Sequence, residues 1–126
     1  MRILLLGDIC GPAGMHVIKT KLRELIKEKK IDFTIANGEN AAENGKGITK
    51  KNFEDFIDAG VNVITSGNHI WDQKEILEII DKEKKLIRPA NLLEGQPGNG
   101  YGIYEINNKK IAVINLIANV FMKKSQ

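Results

Sequence analysis

The chain of 126 residues carries 19 Lys and Arg against 16 Asp and Glu, a net charge of +3, with its bases interleaved among acids on helix faces; this argues against a nucleic-acid groove. Its length suits one domain, 1–126, with a core of its own. Cys10 stands alone, which excludes an internal disulfide and suits a reducing compartment, and the start reaches Asp8 too soon for a signal peptide, so a cytoplasmic protein without a membrane span is expected.

Arg2 to Gly7 is an apolar run that predicts a buried strand, ending at Asp8. Val17, Ile18, Leu22, Leu25 and Ile26 then recur at helical spacing, predicting an amphipathic helix over 13–29. Asp32 to Ala36 is the second strand, running into Asn37-Gly38-Glu39-Asn40. Thr49 is placed to cap a helix carrying Phe53, Phe56 and Ile57, and Gly60 sits where a left-handed C-terminal cap is wanted. Val61 to Thr65 is the third strand, running into Gly67-Asn68-His69. Asp72 with Glu75 three residues on predicts a capping-box start for a third helix bearing Ile76, Leu77, Ile79 and Ile80. Leu86-Ile87-Arg88-Pro89 is a short extended piece, since the residue before proline is pushed out of the helical region. After a Gly- and Pro-rich loop, Tyr101 to Ile106 and Lys110 to Leu116 flank Asn107-Asn108-Lys109 as a β-hairpin. The fold class is therefore α/β, a parallel sheet built from β-α-β-α-β-α and followed by the hairpin.

Three times an apolar strand runs into a Gly-bearing turn that holds a carboxylate or an amide. If the strands share one parallel sheet, Asp8, Glu39, Asn40, Asn68 and His69 converge on the crevice outside its carboxyl edge, where open α/β sheets bind ligands. Such an oxygen-rich set suits hard or borderline divalent cations such as Mg, Mn or Fe(II), and an imidazole widens the choice. The same residues are also ordinary in tight turns, because Gly, Asn and Asp tolerate unusual backbone angles; three repeats favour the metal reading. His69 at that edge could protonate a leaving oxygen or steady a developing charge; the alternative is a polar contact within its own turn. His16 is expected on the surface, and Cys10 as a small buried residue beside the strand end. Gly7, Gly11 and Gly14 do not fit the dinucleotide fingerprint, and Gly45-Lys46-Gly47 does not fit a P-loop.

Gly7-Asp8, the stretch Asn37-Gly38-Glu39-Asn40-Ala41-Ala42 with Gly45-Lys46-Gly47-Ile48-Thr49, Gly67-Asn68-His69 with Trp71-Asp72, and Arg88-Pro89-Ala90-Asn91 resemble the calcineurin-like metallophosphoesterase superfamily. The resemblance is closest to its bacterial branch of small dinuclear metal phosphodiesterases acting on cyclic nucleotides, including 2′,3′-cyclic species, and covers nearly the whole chain. It implies half of a metallophosphoesterase-type α/β sandwich and a site for two divalent metal ions (Fe, Mn or Zn). Asp8 would bind the first metal, Glu39 would bridge both, Asn40 and Asn68 would bind the second, and His69 would act as general acid or charge stabiliser. Two cations about 3.5–4 Å apart neutralise phosphoryl oxygens during in-line displacement. The substrate implied is a small phosphodiester such as a cyclic nucleotide, with a homo-oligomer left open.

The chain departs from that pattern in two places. Cys10 stands where most of the superfamily has histidine, and no histidine follows His69, whereas the family completes its site with later histidines ending in His-x-His. In family terms this is a single, C-terminally truncated domain, cut just after the hairpin, so partial metal occupancy is expected. Two alternatives to an active phosphodiesterase stay open: a non-catalytic remnant or assembly module needing a complementing chain, and a mononucleotide-binding module using Gly11-Pro12-Ala13-Gly14.

Overall fold

The computed structural model describes residues 1–118; the tail predicted to follow the last strand, from Asn119 on, lies outside them. β1 (Ile3–Asp8), β2 (Phe33–Asn37) and β3 (Val63–Thr65) form a parallel sheet in the order β1-β2-β3, joined by α1 (Gly11–Lys29) and α2 (Lys50–Ala59). α1 starts two residues earlier than its apolar pattern, because Pro12 sits in the first turn, where a missing N–H costs nothing. α2 begins as expected at Thr49, whose hydroxyl accepts the Asn52 amide at 3.0 Å while Asn52 Oδ1 accepts the Thr49 amide at 3.0 Å. It ends at Gly60 with φ 106°.

The third helix is not formed. Residues Asn68–Trp71 and Lys74–Glu78 make two short 3-10 turns instead. The two acids expected to cap a helix are committed elsewhere: Asp72 holds the His69 ring at 2.7 Å, and Glu75 Oε1 accepts the Lys50 amide at 2.7 Å, capping the first turn of α2. Ile76 and Ile80 are nonetheless fully buried. Leu86 and Ile87 are extended as predicted, Leu86 bridging Ile64 beyond β3 and Ile87 bridging Asn99.

β4 (Tyr101–Ile106) and β5 (Lys109–Ile114) form the antiparallel hairpin. Its loop is two residues rather than three: Asn107 and Asn108 both have positive φ, 50° and 60°, the conformation of a tight turn matched to strand twist. The strands alternate their faces. Leu4, Leu6, Ala36 and Ile64 pack with the buried sides of α1 (Met15, Ile18, Leu22) and α2 (Phe53, Phe56, Ala59). Phe33, Ile35 and Val63 point the other way and are covered by the hairpin through Tyr104, Ile106, Ile111 and Val113. The result is two layers on one sheet, and every strand end of that sheet opens at the same edge. Among the described residues no helix is long and apolar enough to cross a membrane.

Candidate functional site

The register sets the three strand ends in one row: Asp8 lies beside Asn37, and Asn37 beside Thr65. Between Leu6 and Asp8 the register slips, so that Gly7 is an extra residue opposite β2 and Asp8 is re-aimed at the edge. From β2 the chain turns sharply, Asn37 Oδ1 accepting the Glu39 amide at 3.2 Å, and then folds back along 38–49 with the Gly47 amide bonded to the Glu39 carbonyl at 2.6 Å. Asn40 is held against the first strand end. Its Nδ2 donates to both carboxylate oxygens of Asp8 at 3.1 Å, and its carbonyl accepts the Gly11 amide at 2.8 Å.

Glu39 reaches the third strand end. Its carboxylate lies against the Cα of Gly67, where an added Cβ would overlap it. Oε2 is buried without a hydrogen-bond partner, the one such side-chain atom among the described residues. Burial pushes the Glu39 carboxyl above the usual range, the negative charge of Asp8 pushes it further, and the charge and backbone amide of His69 pull it back. Glu39 thus meets the like charge of Asp8 at one edge, with its own Oε2 unsatisfied.

His69 sits in the 3-10 turn after β3, and its Nδ1 meets Asp72 Oδ2 at 2.7 Å. An ionised carboxylate can only accept, so Nδ1 carries the proton and Nε2 is left with its lone pair or a second proton to offer. Gln73 ties this turn to the Glu39 loop, donating to the Lys46 carbonyl at 2.9 Å and to Asn44 Oδ1 at 3.3 Å. Asn68 is exposed and adjoins Gly67. His16 is exposed, as expected.

The structure therefore brings Asp8 and Asn40 into contact and sets the Asp8 charge near enough to Glu39 to raise its carboxyl, with the His69 amide against Glu39. Asn68 is placed next to that group by chain position, directly after Gly67, and is exposed. Cys10 corrects an expectation: it is exposed, not buried, and its thiol donates to Asp8 Oδ2 at 3.2 Å. That bond is the largest cause raising its thiol, followed by burial and the charges of Asp8 and Glu39. The buried role fails because α1 begins at Gly11, leaving Cys10 in its cap position at the open edge. Sequence reasoning also missed Asp72 as the partner of His69; the i, i+3 spacing within one turn was the available signal.

Two carboxylates with amides and an imidazole nearby are a donor set for a divalent cation, and the orphaned Glu39 Oε2 is the atom such an ion would satisfy. The fit is partial. Among the described residues no three His, Cys, Asp or Glu side chains form a ready metal-ligating group, and Asn40 turns its Nδ2, not its oxygen, towards Asp8.

Comparison with known proteins gives one family, described as YmdB-like protein, whose model matches residues 4–126. The chain is 47% identical over 122 residues to the 2′,3′-cyclic-nucleotide 2′-phosphodiesterase of Bacillus subtilis (strain 168), covering 97% of this chain and 46% of that protein. It is 39% identical over 121 residues to a putative phosphatase/phosphodiesterase of Mycoplasma pneumoniae, covering 93% and 43%. Among solved structures, a hypothetical protein from Thermus thermophilus superposes with TM-score 0.92 at 33% identity, over 99% of this chain and 48% of that one. A novel phosphatase from Mycoplasma pneumoniae superposes with TM-score 0.84 at 39% identity, over 93% of this chain and 43% of that one. The chain spans about half the length of the relatives it matches.

Proposed function

We propose that this chain, which belongs to the YmdB-like protein family, carries the strand-end half of a metal-dependent phosphodiesterase site acting on a small cyclic nucleotide or related phosphodiester. The observation that supports it is Glu39 Oε2, buried and unpartnered against Gly67 at the sheet edge where Asp8 ends β1. The printed activity of the Bacillus subtilis relative supplies the substrate class.

In this reading Asp8 and Glu39 are the first holders of divalent metal, Fe, Mn or Zn, with Asn68 and Asn40 as amide donors, Asn40 after rotation of its side-chain amide. The metal would polarise the phosphoryl group and ease deprotonation of an attacking water. Glu39, whose carboxylate lies against the third strand end and meets the charge of Asp8 at the first, would hold metal from both sides of the edge. Asp72 orients the His69 ring so that Nε2 can deliver a proton to, or hydrogen-bond, the oxygen that leaves the phosphorus. The Gln73 clamp keeps the His69 turn and the Glu39 loop in register. A second reading, an assembly module that needs a complementing chain, is favoured by the partial donor set: among the described residues no three His, Cys, Asp or Glu side chains form a metal-ligating group.

The test is a chimera in which this chain is joined to the half of the Bacillus subtilis relative that it does not match. It is expected to hydrolyse 2′,3′-cyclic nucleotide. Glu39→Ala should abolish metal uptake and turnover together, whereas His69→Ala should keep metal and lower kcat by roughly 10²–10⁴-fold. The isolated chain should show background hydrolysis only. A chimera as active with Glu39→Ala as without it refutes the proposal.

A further inference from the structure

On the face that β5 turns to the sheet, Ile111 and Val113 are followed two residues later by Asn115, which is 8% exposed. Alternation calls for an apolar side chain at that place, and burying an amide costs free energy unless its groups find hydrogen bonds. Here they do. The backbone of Asn115 is spent on the segment beside it, its amide donating to the Gly100 carbonyl at 3.0 Å and its carbonyl accepting the Ala90 amide at 2.7 Å. The side chain turns to the sheet instead, where Nδ2 donates to the Ser66 carbonyl at 2.8 Å and to the Ile87 carbonyl at 3.3 Å. Ser66, itself buried, closes the set with its hydroxyl, which donates to the same Ile87 carbonyl at 2.9 Å.

The Ser66 carbonyl carries this network to the strand-end site. A peptide unit is planar, so fixing that oxygen also fixes the Cα of the next residue, Gly67. Against that Cα rests the Glu39 carboxylate, with no room for a Cβ between them. The ladder between β2 and β3 ends at Thr65, one residue short of Ser66, so strand pairing does not hold this peptide in place. Without the Asn115 donor the Ser66 carbonyl loses that bond at a buried point, and any shift of Gly67 passes to the carboxylate in contact with it.

We infer that Asn115 is a positioning residue: through the Ser66-Gly67 peptide it sets where the Glu39 carboxylate stands. The hairpin is then part of the scaffold of the site as well as a cover for the sheet, through a bond that spans 49 residues of chain. A fully bonded polar group in a core fixes one arrangement more sharply than an apolar side chain does, which is the reason for an amide at this place. The consequence for metal affinity rests on the proposed metal site, whereas the placement of Glu39 does not.

The test compares Asn115→Leu, which keeps a branched side chain but has no donor, with Val113→Ala, a core change on the same strand that leaves the Asn115 amide in place. In the metal-free chain the carboxyl carbon resonance of Glu39 should shift in Asn115→Leu and stay near the parent position in Val113→Ala. In Mn²⁺ titrations Asn115→Leu should bind about ten-fold or more weakly, the usual effect of removing a residue that orients a metal ligand, and Val113→Ala should bind like the parent. Asn115→Ser, small enough to admit a water, carries the same expectations and serves where Asn115→Leu does not fold. An unmoved Glu39 resonance, or an Mn²⁺ affinity no lower than that of Val113→Ala, would overturn the inference. A parent chain that takes up no Mn²⁺ would sink the metal reading alone, and a shifted Glu39 resonance would still uphold the placement of Glu39 by Asn115.

Discussion

The Cα of Gly67 and the carboxylate of Glu39 occupy adjoining space, leaving no room for a Cβ at Gly67. The Gly67 backbone is extended, φ −147°, a conformation open to any residue, so the glycine serves contact and not turn geometry. Gly67→Ala should therefore displace Glu39, costing about 1–3 kcal/mol of stability as an overpacking change and lowering Mn²⁺ affinity. Thermal melts with and without Mn²⁺ check this. Gly7→Ala, where nothing lies within 4 Å of the added methyl, is the control and should be near neutral.

Glu39 also makes stability depend on pH. Its carboxyl is raised above the ordinary value of 4.5, first by burial and then by Asp8, so the folded chain holds that proton more tightly than the unfolded chain. Its stabilising contribution is full below the ordinary value and is lost as pH climbs through the raised one. In metal-free protein Glu39→Gln should melt higher than the parent at neutral pH, and the gap should close on acidification. Equal melting temperatures at both pH extremes would remove the claim that Glu39 is held under strain.

The His69 ring is oriented by Asp72 at 2.7 Å. Nitrogen chemical shifts at mildly alkaline pH should show the proton on Nδ1. In Asp72→Ala the proton should move to Nε2, the tautomer favoured by a free imidazole. An unchanged tautomer would mean that Asp72 does not set the ring.

The strand ends are legible in the sequence because each apolar run stops at a Gly-bearing turn, and the parallel order follows from the helices between them. The hairpin is legible from Asn107-Asn108, two residues that accept positive φ. The third helix is not, because Asp72 and Glu75 fit a capping box by spacing alone. Their actual partners, the His69 ring and the Lys50 amide, are a contact within the preceding turn and one across 25 residues of chain. The exposure of Cys10 escapes the sequence for a related reason: whether a residue one position before a helix is buried depends on how the sheet edge is covered, which local pattern does not record.

Because Glu75 caps α2 from a distance, Glu75→Ala should destabilise the fold by about 1 kcal/mol, the usual worth of a lost cap, although it lies outside that helix. Thr49→Ala removes the local half of the same cap and should cost a similar amount. Denaturant melts of the two single variants and the double variant check both values.

Calorimetric titration of the isolated chain with Mn²⁺ tests most directly whether Asp8 and Glu39 form the first part of a metal site at the sheet edge. One weak site is expected, lost in both Asp8→Ala and Glu39→Ala. Binding unchanged in those variants would contradict the site, and two tight sites on the monomeric chain would contradict its being only a part.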